Sequence, residues 1–174
     1  MYFTHFPKID YDVNGDGVTT KMTDITRRSR ISEQSIIYAA SYDYYDVGDG
    51  EKPEDIAHRY YNDATLHWVV LMVNNIQDVY KDWPMSVTRL ERYVKSKYDN
   101  VDDIHHYEIY QDSGDTTVTI ELPNDPATTI PVDATAITNA EYEEAELEKK
   151  RRIRLIRPQF VDQLKEEFRK SIRA

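Results

Sequence analysis

The sequence predicts an α+β fold, and three patterns carry the prediction. Ser41 to Val47 alternates as a strand, with Tyr42 and Tyr44 on one face and Tyr45 and Val47 on the other. Val118, Ile120 and Leu122 alternate with Thr117, Thr119 and Glu121 in the second strand of a hairpin. Near the end of the chain Phe160, Leu164, Phe168 and Ile172 recur every four positions, with Val161 beside them, as on one face of a helix.

Taken in order, residues 1–40 form an extended N-terminal arm. Tyr2, Phe3, Phe6 and Tyr11 load it with aromatics, while Pro7 and the Asn14-Gly15-Asp16-Gly17 run interrupt any periodicity. Residues 41–98 form the core and a following helix. After the strand, Gly48-Asp49-Gly50 turns the chain and Pro53 opens a helix, its fixed φ suiting the first helical position and Glu54 and Asp55 complementing the helix dipole. Ile56, Ala57 and Tyr60 make the buried stripe, and Asn62-Asp63 closes it. A second helix spans about Thr65 to Asn74 and is apolar nearly all round from Leu66 to Val73, so it is buried on most sides. Beyond Trp83-Pro84, Ser86 caps a third helix with Val87, Leu90, Val94 and Tyr98 on one face.

Residues 99–137 read as a β-hairpin and a long loop: strand Ile104–Tyr110, turn Asp112-Ser113-Gly114-Asp115, a second strand, then an irregular stretch around Pro123, Pro126 and Pro131. Residues 138–174 form a C-terminal helical tail. Thr138 and Glu141 stand at capping-box spacing, Arg152 to Leu155 alternates like a short strand, and Pro158 starts the final amphipathic helix.

Composition narrows the function. The 174 residues carry 32 acidic against 22 basic side chains, a formal charge of −10 that argues against nucleic-acid binding, where cations must displace phosphate counterions. The charge is uneven: residues 141–174 hold ten basic and eight acidic side chains, residues 1–140 hold 12 and 24. Without cysteine there is no disulfide framework, thiolate metal site or cysteine nucleophile. The longest apolar run, Trp68 to Val73, is too short to span a bilayer, and the first ten residues do not read as a secretion signal. Fourteen tyrosines beside five glycines suit a protein that meets other proteins.

No motif predicts chemistry. Asp12-Val13-Asn14-Gly15-Asp16-Gly17 opens like a calcium loop, but the twelfth position, counted from Asp12 or from Asp10, is Thr23 or Lys21 rather than an acid, so it reads as a turn. His105 and His106, near Asp102 and Asp103, are adjacent on a strand and point to opposite faces, while His58 and His67 lie on different helices, so no metal site is assigned. There is no nucleophile elbow and no phosphate loop, so neither catalytic residues nor a cofactor are expected. Lys149 to Arg152 follows five glutamates and reads as a charged connector.

Residues 42–76 resemble a LysM domain through Tyr44, Val47, Gly48-Asp49-Gly50, Ile56-Ala57, Tyr60, Leu66, Trp68, Leu71 and the helix ending at Asn74. That family pairs two helices over a small sheet and ends in a second strand, whereas here Asp82-Trp83-Pro84 leads into a helix. Nearly the whole chain resembles the LysM-containing baseplate wedge proteins of contractile-tailed phages, the wedge protein 53 family. The carrying segments are Tyr2-Phe3 with Phe6, Met22-Thr23-Asp24-Ile25 with Arg27-Arg28, Pro53 to Ala57, Tyr61-Asn62-Asp63, Leu66 to Asn74, Asp82-Trp83-Pro84, Lys97-Tyr98 and Arg152 to Ile156.

The resemblance implies a structural subunit of the virion, made in the host cytoplasm, that clamps neighbouring wedges into a sixfold inner baseplate ring. Its implied partners are the wedge core subunits and the lysozyme-like protein that primes the sheath, with no membrane, nucleic acid, cofactor or catalysis. Because a core of residues 41–98 is too small to bury every aromatic of both ends, Tyr2, Phe3, Phe6 and Tyr11 and the stripe Phe160, Leu164, Phe168 and Ile172 are the candidate partner contacts. The same stripe also fits a helix packed on its own domain. The alternative function is a glycan-binding LysM module docking on peptidoglycan, with Asp49 and Glu51 in its loop.

Overall fold

The computed structural model describes residues 2–27, 42–113 and 116–173, with backbone only at 112, 113, 116 and 117. Ser41 at the expected strand start, Arg28, and Gly114-Asp115 of the expected turn lie outside the described residues. In chain order, a 3-10 turn at Tyr2–His5 precedes strands β1 (Lys8–Asp12), β2 (Thr19–Thr23) and β3 (Tyr42–Asp46). Helix α1 (Pro53–Tyr61), a 3-10 turn at Ala64–Leu66, α2 (His67–Val73), α3 (Val79–Asp82) and α4 (Val87–Lys97) follow. Then come β4 (Ile104–Ser113), β5 (Thr116–Pro123), β6 (Thr135–Thr138), α5 (Asn139–Arg151), β7 (Arg152–Ile156), a 3-10 turn at Pro158–Phe160 and α6 (Val161–Arg173). The α+β class is as predicted.

Two units divide the chain: Met1–Trp83 with Arg152–Ala174, and Pro84–Arg151. The first is a β–α–α–β arrangement whose closing strand comes after the whole second unit. β3 pairs antiparallel with β7, Tyr42 opposite Ile156, Tyr44 opposite Arg154 and Asp46 opposite Arg152. The segment expected as a helical tail therefore holds one strand of the two-stranded β3–β7 sheet, and the division cuts across the expected boundaries at 98 and 138. Ile153, Leu155 and Ile156 of β7 are all buried in one apolar cluster that also holds residues of α2 and the final helix, so neither face of the strand is bare.

Local chemistry sets the helices. Pro53 starts α1 after an extended Lys52, the Asp55 carboxylate accepts the Lys52 N–H at 3.2 Å, and Asn62 ends the helix in the left-handed conformation at φ 55°. The expected helix from Thr65 is split, because the Asp63 carboxylate caps Thr65 N–H at 2.9 Å and holds Ala64–Leu66 as a 3-10 turn. Ser86 has extended N-cap backbone but makes no side-chain cap bond.

The first unit has one apolar core. Ile56 and Ala57 of α1, Trp68, Val69, Val70 and Val73 of α2, the three apolar residues of β7, and Val161, Leu164, Phe168 and Ile172 of α6 are all buried in it, with Phe6, Tyr42, Val47, Leu66 and Trp83. Phe6, Leu164, Phe168 and Ile172, put forward as partner contacts, are thus core residues, and Phe160 and Tyr2 pack partly against them. The final helix widens the core beyond what residues 41–98 supply, which is why it can hold these aromatics. Conversely Tyr44, expected in the core, is 68% exposed with the Arg152 guanidinium 4.8 Å from its ring centre, since only the Tyr42 end of that sheet face is covered.

Of the expected arm at 1–40, the described residues 2–27 fold as a turn and two paired strands rather than an extended arm. β1 and β2 form a hairpin, Ile9 opposite Met22 and Tyr11 opposite Thr20. The Asn14-Gly15-Asp16-Gly17 run is its loop. Asp12 Oδ1 accepts the N–H groups of Asn14 (3.1 Å), Gly15 (2.6 Å) and Asp16 (3.3 Å), and Oδ2 that of Gly17 (2.8 Å). Gly15 and Gly17 take φ of 73° and 82°, which other residues adopt only under strain. These four donors hold the Asp12 carboxyl below its ordinary range, Gly17 most strongly. At its base the hairpin is tied down: Asp24 accepts from Thr26 and Arg27, and Arg27 Nη1 donates to Ile172 O at 3.2 Å.

The second unit has a three-stranded antiparallel sheet, order β5-β4-β6, with α4 and α5. β6 lies in the expected loop, and Thr138 and Glu141 cap α5 as predicted, with Glu141 Oε2 accepting the Thr138 N–H at 2.8 Å. Val94 and Leu147 are its buried aliphatic side chains among the described residues, beside buried His106, Asn139 and Glu143. Val118 and Ile120 are exposed, so their alternation does not mark a covered face. Polar ties do much of the fixing: Lys97 Nζ (2.5 Å) and Tyr98 OH (2.9 Å) both donate to Glu143 Oε1. That carboxylate, then the Tyr98 hydroxyl, raises Lys97 above its ordinary 10.5.

A raised lysine stabilises the fold fully below its unfolded pKa and stops doing so as pH rises through the folded value. Glu143→Ala is accordingly expected to destabilise this unit by about 1–2 kcal/mol at neutral pH. The gap between wild type and variant, followed by far-UV circular dichroism in urea, should hold constant up to the ordinary lysine value of 10.5 and narrow above it. A gap that is already absent at neutral pH contradicts the assignment.

Candidate partner-binding surfaces

The hairpin is two-faced. Ile9 and Tyr11 on β1 share a face with Met22 and Thr20 on β2, since residues two apart on a strand point the same way and opposed residues point together. Lys8, Asp10 and Asp12, opposite Thr23, Lys21 and Thr19, make the other, polar face. The apolar side chains are uncovered: Ile9 is 41% exposed, Tyr11 54% and Met22 45%. Val13 and Val18 beside the loop and Ile25 beyond β2 are exposed as well, as is Phe3 in the preceding turn. A lone two-stranded hairpin is marginal in water, so this one is held by its anchored base and offers a bare apolar face.

Among the predicted contacts the structure therefore separates Phe3 and Tyr11, which are exposed, from Phe6, Leu164, Phe168 and Ile172, which are not. Sequence reasoning missed Ile9, Met22, Val13 and Val18. Their signal was there, in alternation on either side of an Asp-x-Asn-Gly turn.

Of the other residues that carry the LysM resemblance in the sequence, Val47, Ile56, Ala57, Leu66, Trp68 and Trp83 are buried, and Tyr60, Leu71 and Asn74 are half-buried. The tyrosines near them use their hydroxyls internally. Tyr60 OH donates to Asp43 at 2.6 Å, Tyr61 OH to Ile156 O at 2.9 Å, and Tyr45 OH to Glu51 at 2.9 Å. Burial and then Asp43 push the Tyr60 hydroxyl up to about 12. Glu51 also accepts the Gly48 N–H at 3.0 Å and pairs with Arg59 at 2.7 Å, so this loop residue is occupied within the fold.

The histidines lie differently from their sequence reading. A register shift in the β4–β6 ladder between Ile104 and His106 marks a bulge, where the strict alternation of faces fails. His105 and His106 consequently lie side by side, Nδ1 to Nδ1 2.9 Å, and His105 stacks on Tyr142 with ring centres 3.9 Å apart. Asp103 is occupied with Asn100 at 2.6 Å, and the acids gathered near His106 are Glu108 and Glu121 instead.

Residues 1–130 match the protein family described as base plate wedge protein 53. The chain belongs to this family of phage baseplate wedge proteins. Over 104 residues it is 32% identical to the baseplate wedge protein gp53 of Enterobacteria phage T4, a match covering 58% of this chain and 53% of that protein. The matched region thus spans about half the length of the curated relative. The family region takes in the hairpin, β1 to β3, α1 to α4 and most of the second unit's sheet, and it ends before α5, β7 and α6. No helix among the described residues is long and apolar enough to cross a membrane.

Proposed function

We propose that this wedge-family protein is a non-enzymatic structural subunit of a phage tail baseplate that works by protein–protein contact, gripping a neighbouring baseplate protein with its β1–β2 hairpin. The observation that carries the reading is the bare apolar face of Ile9, Tyr11 and Met22 on a hairpin whose opposite face is polar. Phe3, the one strongly exposed phenylalanine, sits in the adjoining turn. Membership in a baseplate wedge family makes another wedge protein the natural occupant. The clamping of neighbouring wedges in a sixfold ring, and contacts with wedge core subunits and the lysozyme-like sheath-priming protein, extend this reading. The β–α–α–β order closed by β7 supports the LysM-like character of the first unit, with residues 84–151 inserted before the last strand.

Aromatic and apolar anchors at an interface centre are each worth about 1–3 kcal/mol. Tyr11→Ser with Met22→Ser, both at exposed positions, is expected to weaken capture by co-expressed baseplate proteins of the same phage roughly tenfold or more. Its urea midpoint should stay at the wild-type value. Undiminished assembly by this variant overturns the hairpin grip. A parallel pull-down on peptidoglycan tests the glycan-binding alternative, which saturable retention would support.

A further inference from the structure

We propose that His106, Glu108 and Glu121 form a binding site for a divalent transition-metal ion, with zinc the ion that fits the donors best. Among the described residues this is the one group of three such side chains whose ligand atoms all lie within 4.8 Å of one another. One imidazole and two carboxylates make a donor set that zinc accepts, and three protein ligands leave a fourth tetrahedral position for water.

Four observations point to an ion rather than a chance meeting of side chains. His106 Nε2 and Glu108 Oε1 are 3.4 Å apart. Bonds of about 2.0–2.1 Å to a tetrahedral zinc put neighbouring ligand atoms roughly 3.3 Å apart, so this edge is already set. Glu108 and Glu121 stand directly opposite each other in the β4–β5 ladder, where two like charges destabilise a sheet unless a cation lies between them.

Both inner ligands also carry outer partners of the kind that orient metal ligands. Tyr110 OH donates to Glu108 Oε2 at 2.6 Å, leaving Oε1 toward His106. The Nδ1 atoms of His105 and His106 are 2.9 Å apart, and in the tautomer that makes His106 the donor its Nε2 is a lone pair facing a carboxylate oxygen, an arrangement a cation resolves. Finally, His106 is 94% buried in a unit whose buried aliphatic side chains are Val94 and Leu147, and small units short of apolar core are commonly stapled by a metal. The alternative is a plain ion pair, in which His106 Nε2–H donates to Glu108 and no metal enters.

Equilibrium dialysis of the full chain against zinc, and in parallel against magnesium, distinguishes the two. One zinc per chain at roughly micromolar free metal is expected, with no magnesium uptake. The Glu121 side chain is exposed, so Glu121→Gln should keep the wild-type far-UV spectrum while weakening zinc uptake at least tenfold. Tyr110→Phe, which removes only a positioning contact, should weaken it by up to tenfold. Zinc should raise the melting midpoint of the wild type but not of Glu121→Gln. No saturable zinc uptake, or uptake unchanged by Glu121→Gln in a folded variant, overturns the site.

Discussion

Phe168→Ala is expected to destabilise the first unit by about 3–5 kcal/mol, the range for deleting a buried phenylalanine ring. The side chain is 3% exposed and central to an aromatic cluster: Trp68 lies 5.0 Å away between ring centres, Tyr2 5.3 Å, His5 5.9 Å and Phe6 6.1 Å. These rings come from the first turn, α2 and α6, so the cavity left by alanine cannot close by moving one element alone. The measurement is clean because the protein has two tryptophans, Trp68 and Trp83, and both belong to the first unit. Tryptophan emission in urea therefore follows that unit without interference from residues 84–151. A loss below about 1 kcal/mol would mean that the α6 stripe is not consumed in the chain's own core, and would return it to the list of partner contacts.

This experiment also bears on what could be read from the sequence. Periodicity located α6, and nothing in periodicity says which surface receives the stripe; that required a sheet assembled from strands far apart in the chain. Both β7, as alternation in Arg152 to Leu155, and β3 are legible, yet their pairing is not, because pairing across an inserted unit leaves no local mark. The hairpin failed for the opposite reason. The Asp12–Gly17 run reads as a turn, but the strands on either side of it go unread, and the four N–H groups gathered by Asp12 are what close that turn into a hairpin loop. Helices with strong local signals, Pro53 for α1 and the Thr138–Glu141 box for α5, were read nearly to the residue. The surface was the least legible part. Alternation is the same whether a face is covered or bare, so the strand at Val118 and Ile120 is legible while the exposure of those side chains is not, and Ile9 and Met22 go unread. The side-by-side placement of His105 and His106 goes with a bulge, which no spacing rule anticipates, whereas Glu121 meets His106 and Glu108 only through the pairing of β4 with β5.

Asn74→Asp is expected to cost the first unit about 2–4 kcal/mol at neutral pH although only one atom type changes. The Asn74 amide acts as a third strand for β7. Its Nδ2 donates to Arg154 O at 2.9 Å and to Val70 O at 2.8 Å, and its Oδ1 accepts the Arg154 N–H at 2.8 Å. Arg154 thereby has both backbone groups satisfied on the side away from β3, where the two-stranded sheet would otherwise present a raw edge. An aspartate keeps the bond from Arg154 N–H but aims a second charged oxygen at two carbonyl oxygens, with no proton between them. The folded state then favours the protonated acid, so the variant's carboxyl sits above its unfolded value. A group raised in this way harms stability most above its folded pKa, and the harm fades as pH falls through that value toward the ordinary carboxylate range. Asn74→Ala supplies the comparison: it loses the three bonds without adding charge, at about 1–3 kcal/mol and with no such pH dependence. Tryptophan-detected urea midpoints of the two variants should therefore converge on acidification, and parallel curves at every pH would show that the Asn74 amide does not hold β7 in place.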